Sequence, residues 1–176
     1  MRDDGAPISW KFLVNGNDST DPAHSDGGTG YRTERGDCGA ECAAATGVRL
    51  HLIGKLGFRL NDKALRRAGL DYWQHVDLHQ HLSWDEFRAA YPDLSCYALS
   101  DKVSRPYTTI SFKAGDCLVL GSETQGLPER LLHGPGALPS CTIPMPTGHV
   151  RCINVAMAAG IVTYEALRQI NLIGKV

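Results

Sequence analysis

The sequence predicts an α/β fold, on three observations. Short apolar runs bounded by turn residues take turns with segments of helical spacing. Apolar residues make up 43% and charged residues 21% of the 176, close to globular averages, which sets aside the disordered and membrane classes. The longest apolar stretch, around Ala156 to Thr163, falls short of the roughly 18 to 20 residues of a membrane span. A chain of this length can bury a core without disulfide staples, so one soluble unit is expected.

Taken in order, strands are expected near Trp10 to Val14, Val48 to Ile53, His75 to Leu78, Cys96 to Leu99, Cys117 to Leu120 and Thr142 to Ile143. Helices are expected near Cys38 to Thr46, Asp62 to Ala68, Ser83 to Tyr91, Pro128 to Leu132 and Ile153 to Gln169. The firmest boundary is Ser83, because Glu86 three residues on completes a capping box, its carboxylate reaching back to the cap amide. Between the first strand and first helix, residues 15–41 are rich in Gly, Ser, Thr and Asp with no apolar period, which is loop composition. The last helix, about 16 residues and about 24 Å long, is apolar around nearly its whole circumference in INVAMAAGIV. Such a helix needs cover on more than one side, from a sheet or a second subunit. Ala156, Ala159 and Gly160 would let a backbone come close.

Two loops carry the chemistry. GSETQGLP follows the strand CLVLG directly, at a strand's C-terminal end, where open α/β sheets bind ligands. Gly121 and Gly126 allow close backbone approach, with the carboxylate of Glu123 between them. IPMPTGHVRCIN repeats the layout, with Arg151 suited to a phosphate or hydroxyl and Asn154 suited to capping the helix or holding a ligand. GGTG at 27–30 is neither a GxGxxG nor a Walker loop, and Ser/His/Asp and HExxH patterns are missing. His75, His79 and His81 read as a solvated strand edge rather than a metal site. The six cysteines, with no CxxC pair, read as small buried hydrophobes, so neither zinc nor another metal is expected. Net charge is −1, so any case for nucleic acid is local. Lys55, Arg59, Lys63, Arg66 and Arg67 stand against one acid, Asp62, as a candidate RNA-binding face.

LGSETQGLP resembles the second signature, and IPMPTGHVRCINVAMAAGIVTYEALRQ the third, of the SpoU branch of the SPOUT RNA methyltransferases. ATGVRLHLIGKLGFRLNDKALRRAGLDYW further resembles the subfamily that methylates the ribose 2′-oxygen of the tRNA wobble cytidine or uridine. The resemblance covers about residues 42–170. It implies a SPOUT-type α/β knot, a mostly parallel sheet flanked by helices whose C-terminal segment threads into a trefoil knot. It further implies S-adenosylmethionine held at Leu99, Gly121, Ile143 and Cys152, a homodimer, a tRNA or other RNA substrate, and catalytic positions at Arg151, Asn154 and Glu123.

Counting back from Ala45, Thr46 and Gly47, RGDCGAECAA stands where the family's first signature places an Asn-bearing loop and an Arg beside the reacting ribose. Glu41 falls at that Arg and Arg35 at that Asn, which leaves Arg35 and Arg32 as the cations nearest in sequence. Residues 1–41 are therefore set apart as a divergent, partly disordered segment, and residues 42–176 as the methyltransferase domain. Two readings follow: an active RNA 2′-O-methyltransferase, or a catalytically impaired homodimer that binds RNA or cofactor without turnover. MRDDGAPISW lacks an apolar leader core and carries Asp3 and Asp4, so a cytoplasmic protein is expected, with plastid or mitochondrion as the alternative.

Overall fold

The computed structural model describes residues 11–15, 34–54, 71–122 and 126–172, with the backbone alone at 11–15, 34–38 and 71. The helix expected at Asp62 to Ala68 lies outside these residues. The strands are β1 (Lys11–Asn15), β2 (Arg49–Ile53), β3 (Leu78–His81), β4 (Cys96–Leu99), β5 (Cys117–Leu120) and β6 (Ser140–Cys141). The helices are α1 (Glu34–Thr46), α2 (Trp84–Ala90), α3 (Glu129–Leu132) and α4 (Val155–Gln169), with 3-10 turns at Asp71–His75 and Tyr107–Thr109.

The α/β expectation is borne out as a six-stranded sheet in the order β3-β2-β1-β5-β4-β6, every neighbouring pair parallel. β1 lies between β2 and β5, so a strand from the segment set apart as divergent occupies the middle of the sheet. Parallel strands need both faces covered, which is why β5, CLVL, is buried at all four positions. Alternation then sorts its side chains. Leu118 and Leu120 pack with Ala40, Ala43, Ala159, Val162 and Ala166 under α1 and α4, while Cys117 and Val119 pack with Phe87, Leu131 and Leu132 under α2 and α3. Each fully buried side chain such as Val162 or Leu118 stabilises the fold by about 1.5–3 kcal/mol.

Several boundaries differ from expectation for physical reasons. α1 starts a turn earlier than Cys38. Within it Gly39 packs closely on the sheet: a β-carbon there would stand 3.2 Å from Leu50 Cδ1. β3 runs over Leu78–His81 rather than His75 to Leu78, and β6 over Ser140–Cys141 rather than Thr142 to Ile143. Thr142 makes only an isolated bridge to Pro106. In the capping box Ser83 Oγ accepts from Glu86 N at 3.1 Å, but Glu86 Oε2 accepts from Leu82 N at 2.6 Å, one residue before the cap.

The solvated-edge expectation holds for His75, exposed at the end of the 3-10 turn, and in part for His79, whose side chain keeps 38% exposure on the edge strand β3, 2.9 Å from Asp77. It fails for His81, which stacks on fully buried His51, with Phe87 and Tyr91 edge-on to both rings. His51 also stacks on His79, and His51 Nδ1 and His81 Nε2 are hydrogen-bonded at 2.8 Å. The cysteine expectation holds for Cys96, Cys117 and Cys141, which are buried, and fails for exposed Cys152. Burial pushes the Cys141 thiol up to about 11, which leaves it inert at neutral pH.

α4 is docked at its C-terminal end by a side-chain network. Gln169 donates to Ile110 O at 3.0 Å and accepts from Phe112 N at 2.9 Å, while Glu165 takes two bonds from Arg168 and one from Gln169. The Arg168 guanidinium, then Gln169, hold the Glu165 carboxyl at about 2. Ala158, Ala159, Val162 and Ala166 face inward. Met157, Ile161 and Tyr164 form an exposed apolar stripe, and a β-carbon on Gly160 would meet open space. Among the described residues no helix is long and apolar enough to cross a membrane.

Candidate active site

Because all six strands are parallel, their C-terminal ends share one edge. There β4 runs into Ser100, Asp101 and Lys102, β5 into Gly121 and Ser122, and β6 into Thr142 and Ile143. These segments and the start of α4 line a cleft of about 540 Å³. The crossing bonds fix its walls: Ser100 N donates to Cys141 O at 3.0 Å, and Thr142 N to Arg105 O at 2.8 Å.

Leu99, Gly121, Ile143 and Cys152, the four expected cofactor positions, all line this one cleft, as do Arg151 and Asn154. Leu99 and Asn154, 55 residues apart in sequence, meet because three parallel strand ends and one helix start meet. The lining combines apolar residues, among them Leu120, Leu127, Val155 and Ala158, with polar side chains at Ser100, Asp101, Lys102, Ser122, Thr142, Arg151 and Asn154.

Gly121 is dictated by packing. The loop doubles back, Ser122 and Gly126 exchanging backbone bonds of 3.2 and 2.8 Å, so that a β-carbon on Gly121 would stand 2.0 Å from the carbonyl carbon of Gly126. Gly126 itself has φ +69°, where glycine is favoured. Asn154 resolves to the helix cap. Its Oδ1 accepts from Ala156 N at 2.7 Å and Met157 N at 3.4 Å, while the residue still lines the cleft. Arg151 and Cys152 are exposed at the mouth.

Sequence reasoning missed the turn after β4. Lys102 N donates to Ser100 Oγ at 3.1 Å, and Lys102 Nζ pairs with Glu129 Oε1 at the start of α3. That ammonium holds the Glu129 carboxyl below its usual range. The partners are 27 residues apart and the pair arises only from the fold, so no local pattern announces it.

Glu123 and the basic run Lys55, Arg59, Lys63, Arg66 and Arg67 lie outside the described residues, as does Arg32. Arg35 falls in the first turn of α1, described by its backbone alone. Glu41 is exposed on α1, and among the described residues none of that helix lines the cleft. No group of three or more His, Cys, Asp or Glu among the described residues is arranged to hold a metal ion.

Residues 40–164 match the SpoU rRNA Methylase family. The chain is 40% identical over 133 residues to a Methylovorus glucosotrophus protein named tRNA (cytidine(34)-2′-O)-methyltransferase, spanning 76% of this chain and 86% of that one. It is 38% identical over 133 residues to the Escherichia coli protein of the same name, with 76% and 84% covered. A solved structure described as giving structural insights into the 2-OH methylation of C/U34 on tRNA superposes with a TM-score of 0.75 at 36% identity, covering 93% of this chain and 97% of that one. The resemblance read from the two signatures is thereby borne out, and the chain belongs to the SpoU methylase family.

Proposed function

We propose that this chain transfers a methyl group from S-adenosylmethionine to a ribose 2′-oxygen of tRNA at the wobble nucleotide. The observation that carries the reading is the convergence of both signature loops on one cleft of ligand size, in a chain about 40% identical to proteins named for this reaction.

The cleft suits the cofactor. Its volume lies within the usual range for such sites, an adenosine can lie on Leu99, Leu120 and Ile143, and backbone groups at Leu99, Gly121, Ile143 and Cys152 offer donors and acceptors. When bound, the cofactor supplies a methyl activated by its sulfonium, so no metal is required. The protein's task is to bring a poor nucleophile, the 2′-hydroxyl, to about 3–3.5 Å and take up its proton. Arg151, at the mouth, orients a ribose hydroxyl or a phosphate. Asn154 keeps α4's first turn in register with the cleft. Glu123 and Arg35 are the further candidates for handling the ribose, and Lys55, Arg59, Lys63, Arg66 and Arg67 for substrate phosphates. We place the enzyme in the cytoplasm and its C-terminal segment in the family's trefoil knot.

The exposed stripe of Met157, Ile161 and Tyr164 is the proposed seat of a second copy, which gives α4 its remaining cover. Met157→Asp is expected to shift the species seen by sedimentation from dimer to monomer.

The test is incubation with methyl-labelled cofactor and tRNA, then nucleoside analysis. Label on the ribose of nucleotide 34 is expected, and no incorporation into any RNA would sink the proposal. One observation favours the second reading, a binding dimer without turnover: Glu41 presents a carboxylate where the family pattern calls for Arg. Under that reading cofactor binds, transfer is undetectable, and Glu41→Arg restores it.

A further inference from the structure

Among the described residues that line the cleft, three are charged: Asp101, Lys102 and Arg151. Arg151 stands on the loop before α4, whereas Asp101 and Lys102 are neighbours on the turn that ends β4. That turn is pinned twice, by Ser100 N donating to Cys141 O at 3.0 Å and by Lys102 N donating to Ser100 Oγ at 3.1 Å. A fixed turn thus places an acid and a base next to each other in sequence in the lining of the cleft. The complement of a lining that carries both charges is an α-amino acid zwitterion, whose ammonium and carboxylate share one carbon.

Resting on the cofactor reading above, we propose that Asp101 and Lys102 seat the amino-acid end of S-adenosylmethionine, and that Glu129 holds Lys102 in place until the ligand's carboxylate replaces it. The exchange is feasible because the Lys102–Glu129 pair is exposed, at 45% and 64% of the two side chains, and such pairs are weak. Glu129 therefore competes with the ligand, which gives the proposal a sign. Removing Lys102 weakens binding, and removing the charge of Glu129 strengthens it.

The experiment is calorimetric titration of the full chain and of Lys102→Met, Asp101→Asn and Glu129→Gln with two probes. One is S-adenosylmethionine. The other is 5′-methylthioadenosine, which keeps the adenosine and the sulfur but lacks the amino-acid end, so it also reports whether each variant's cleft is intact. Lys102→Met is expected to weaken S-adenosylmethionine roughly five- to tenfold and Asp101→Asn roughly threefold, with methylthioadenosine unchanged in both. Glu129→Gln is expected to tighten S-adenosylmethionine about twofold. Equal losses for both probes, or none for either, overturn the seat. A Lys102→Met variant that keeps its cofactor affinity and loses tRNA affinity assigns Lys102 to a substrate phosphate, and overturns it too. If the unaltered chain binds neither probe, the cofactor reading of the whole cleft falls with it.

Discussion

The two halves of the sheet present their chemistry differently. On the β5-β4-β6 side, strand ends run straight into loops that line one cleft, with the segments after β4 and β6 tied by Ser100 N to Cys141 O and Thr142 N to Arg105 O. On the β1-β2-β3 side, the polar side chains bond to one another: His51 and His81 lie against Phe87 and Tyr91, His79 stacks on His51, and Arg49 ion-pairs with Asp77 at 2.7 Å. One half gathers its loops around a cleft, and the other half uses its polar groups in its own packing. Among the described residues, α1, where the family pattern calls for an Arg, contributes nothing to the cleft lining.

The harshest way to break the contrast is Gly121→Val. The added β-carbon meets the backbone of the returning loop at 2.0 Å, so S-adenosylmethionine affinity should fall more than about 100-fold by calorimetry. An affinity within a few-fold of the original would put the cofactor elsewhere. Next is Phe87→Ala on α2, which packs edge-on against His51 and shares a core cluster with Val119 of β5. A fully buried aromatic lost beneath the histidines should cost about 3–5 kcal/mol in urea unfolding. If cofactor affinity per folded molecule falls as well, the halves are coupled and the contrast is false.

Arg151→Ala sharpens the division within the cleft. It should lower the rate of methyl transfer by about 10- to 100-fold, about 1.4–2.7 kcal/mol, while cofactor affinity changes little. A matching loss of cofactor affinity would make Arg151 a ligand of the cofactor instead. The smallest effect is at the far end of α4. Glu165 titrates at about 2, below its unfolded value near 4.3, so its bonds to Arg168 and Gln169 stabilise the fold above pH 5 and are lost as pH falls towards 2. Glu165→Gln should therefore cost about 1 kcal/mol at pH 6 and almost nothing at pH 2, read from denaturation curves at the two pH values.

The same division explains what was legible in the sequence. β4 and β5 stand where their residues predicted, because a strand covered on both faces must be a continuous apolar run, and CLVL is one. β3 slipped because LHQH looks like solvated surface until α2 covers it, and a histidine's environment is a tertiary fact. β6 slipped because two residues in register with Ala98 and Leu99 leave no periodicity to read. The cleft was legible through its loops, whose glycines and prolines answer local backbone demands. Lys102 with Glu129 was not, since that pair exists only once α3 is laid across the end of β4. Asn154 was left open between cap and ligand, and the two helical amides it receives show the cap, while the residue also lines the cleft.

The most direct measurement is a titration of the isotope-labelled chain with S-adenosylmethionine, followed by backbone amide shifts. The account predicts the largest shifts at Leu99 to Lys102, Gly121, Ser122, Ile143 and Cys152, with the β2 and β3 amides at His51, His79 and His81 nearly still. Shifts centred on β2 and β3, with the β4, β5 and β6 ends unmoved, would contradict it.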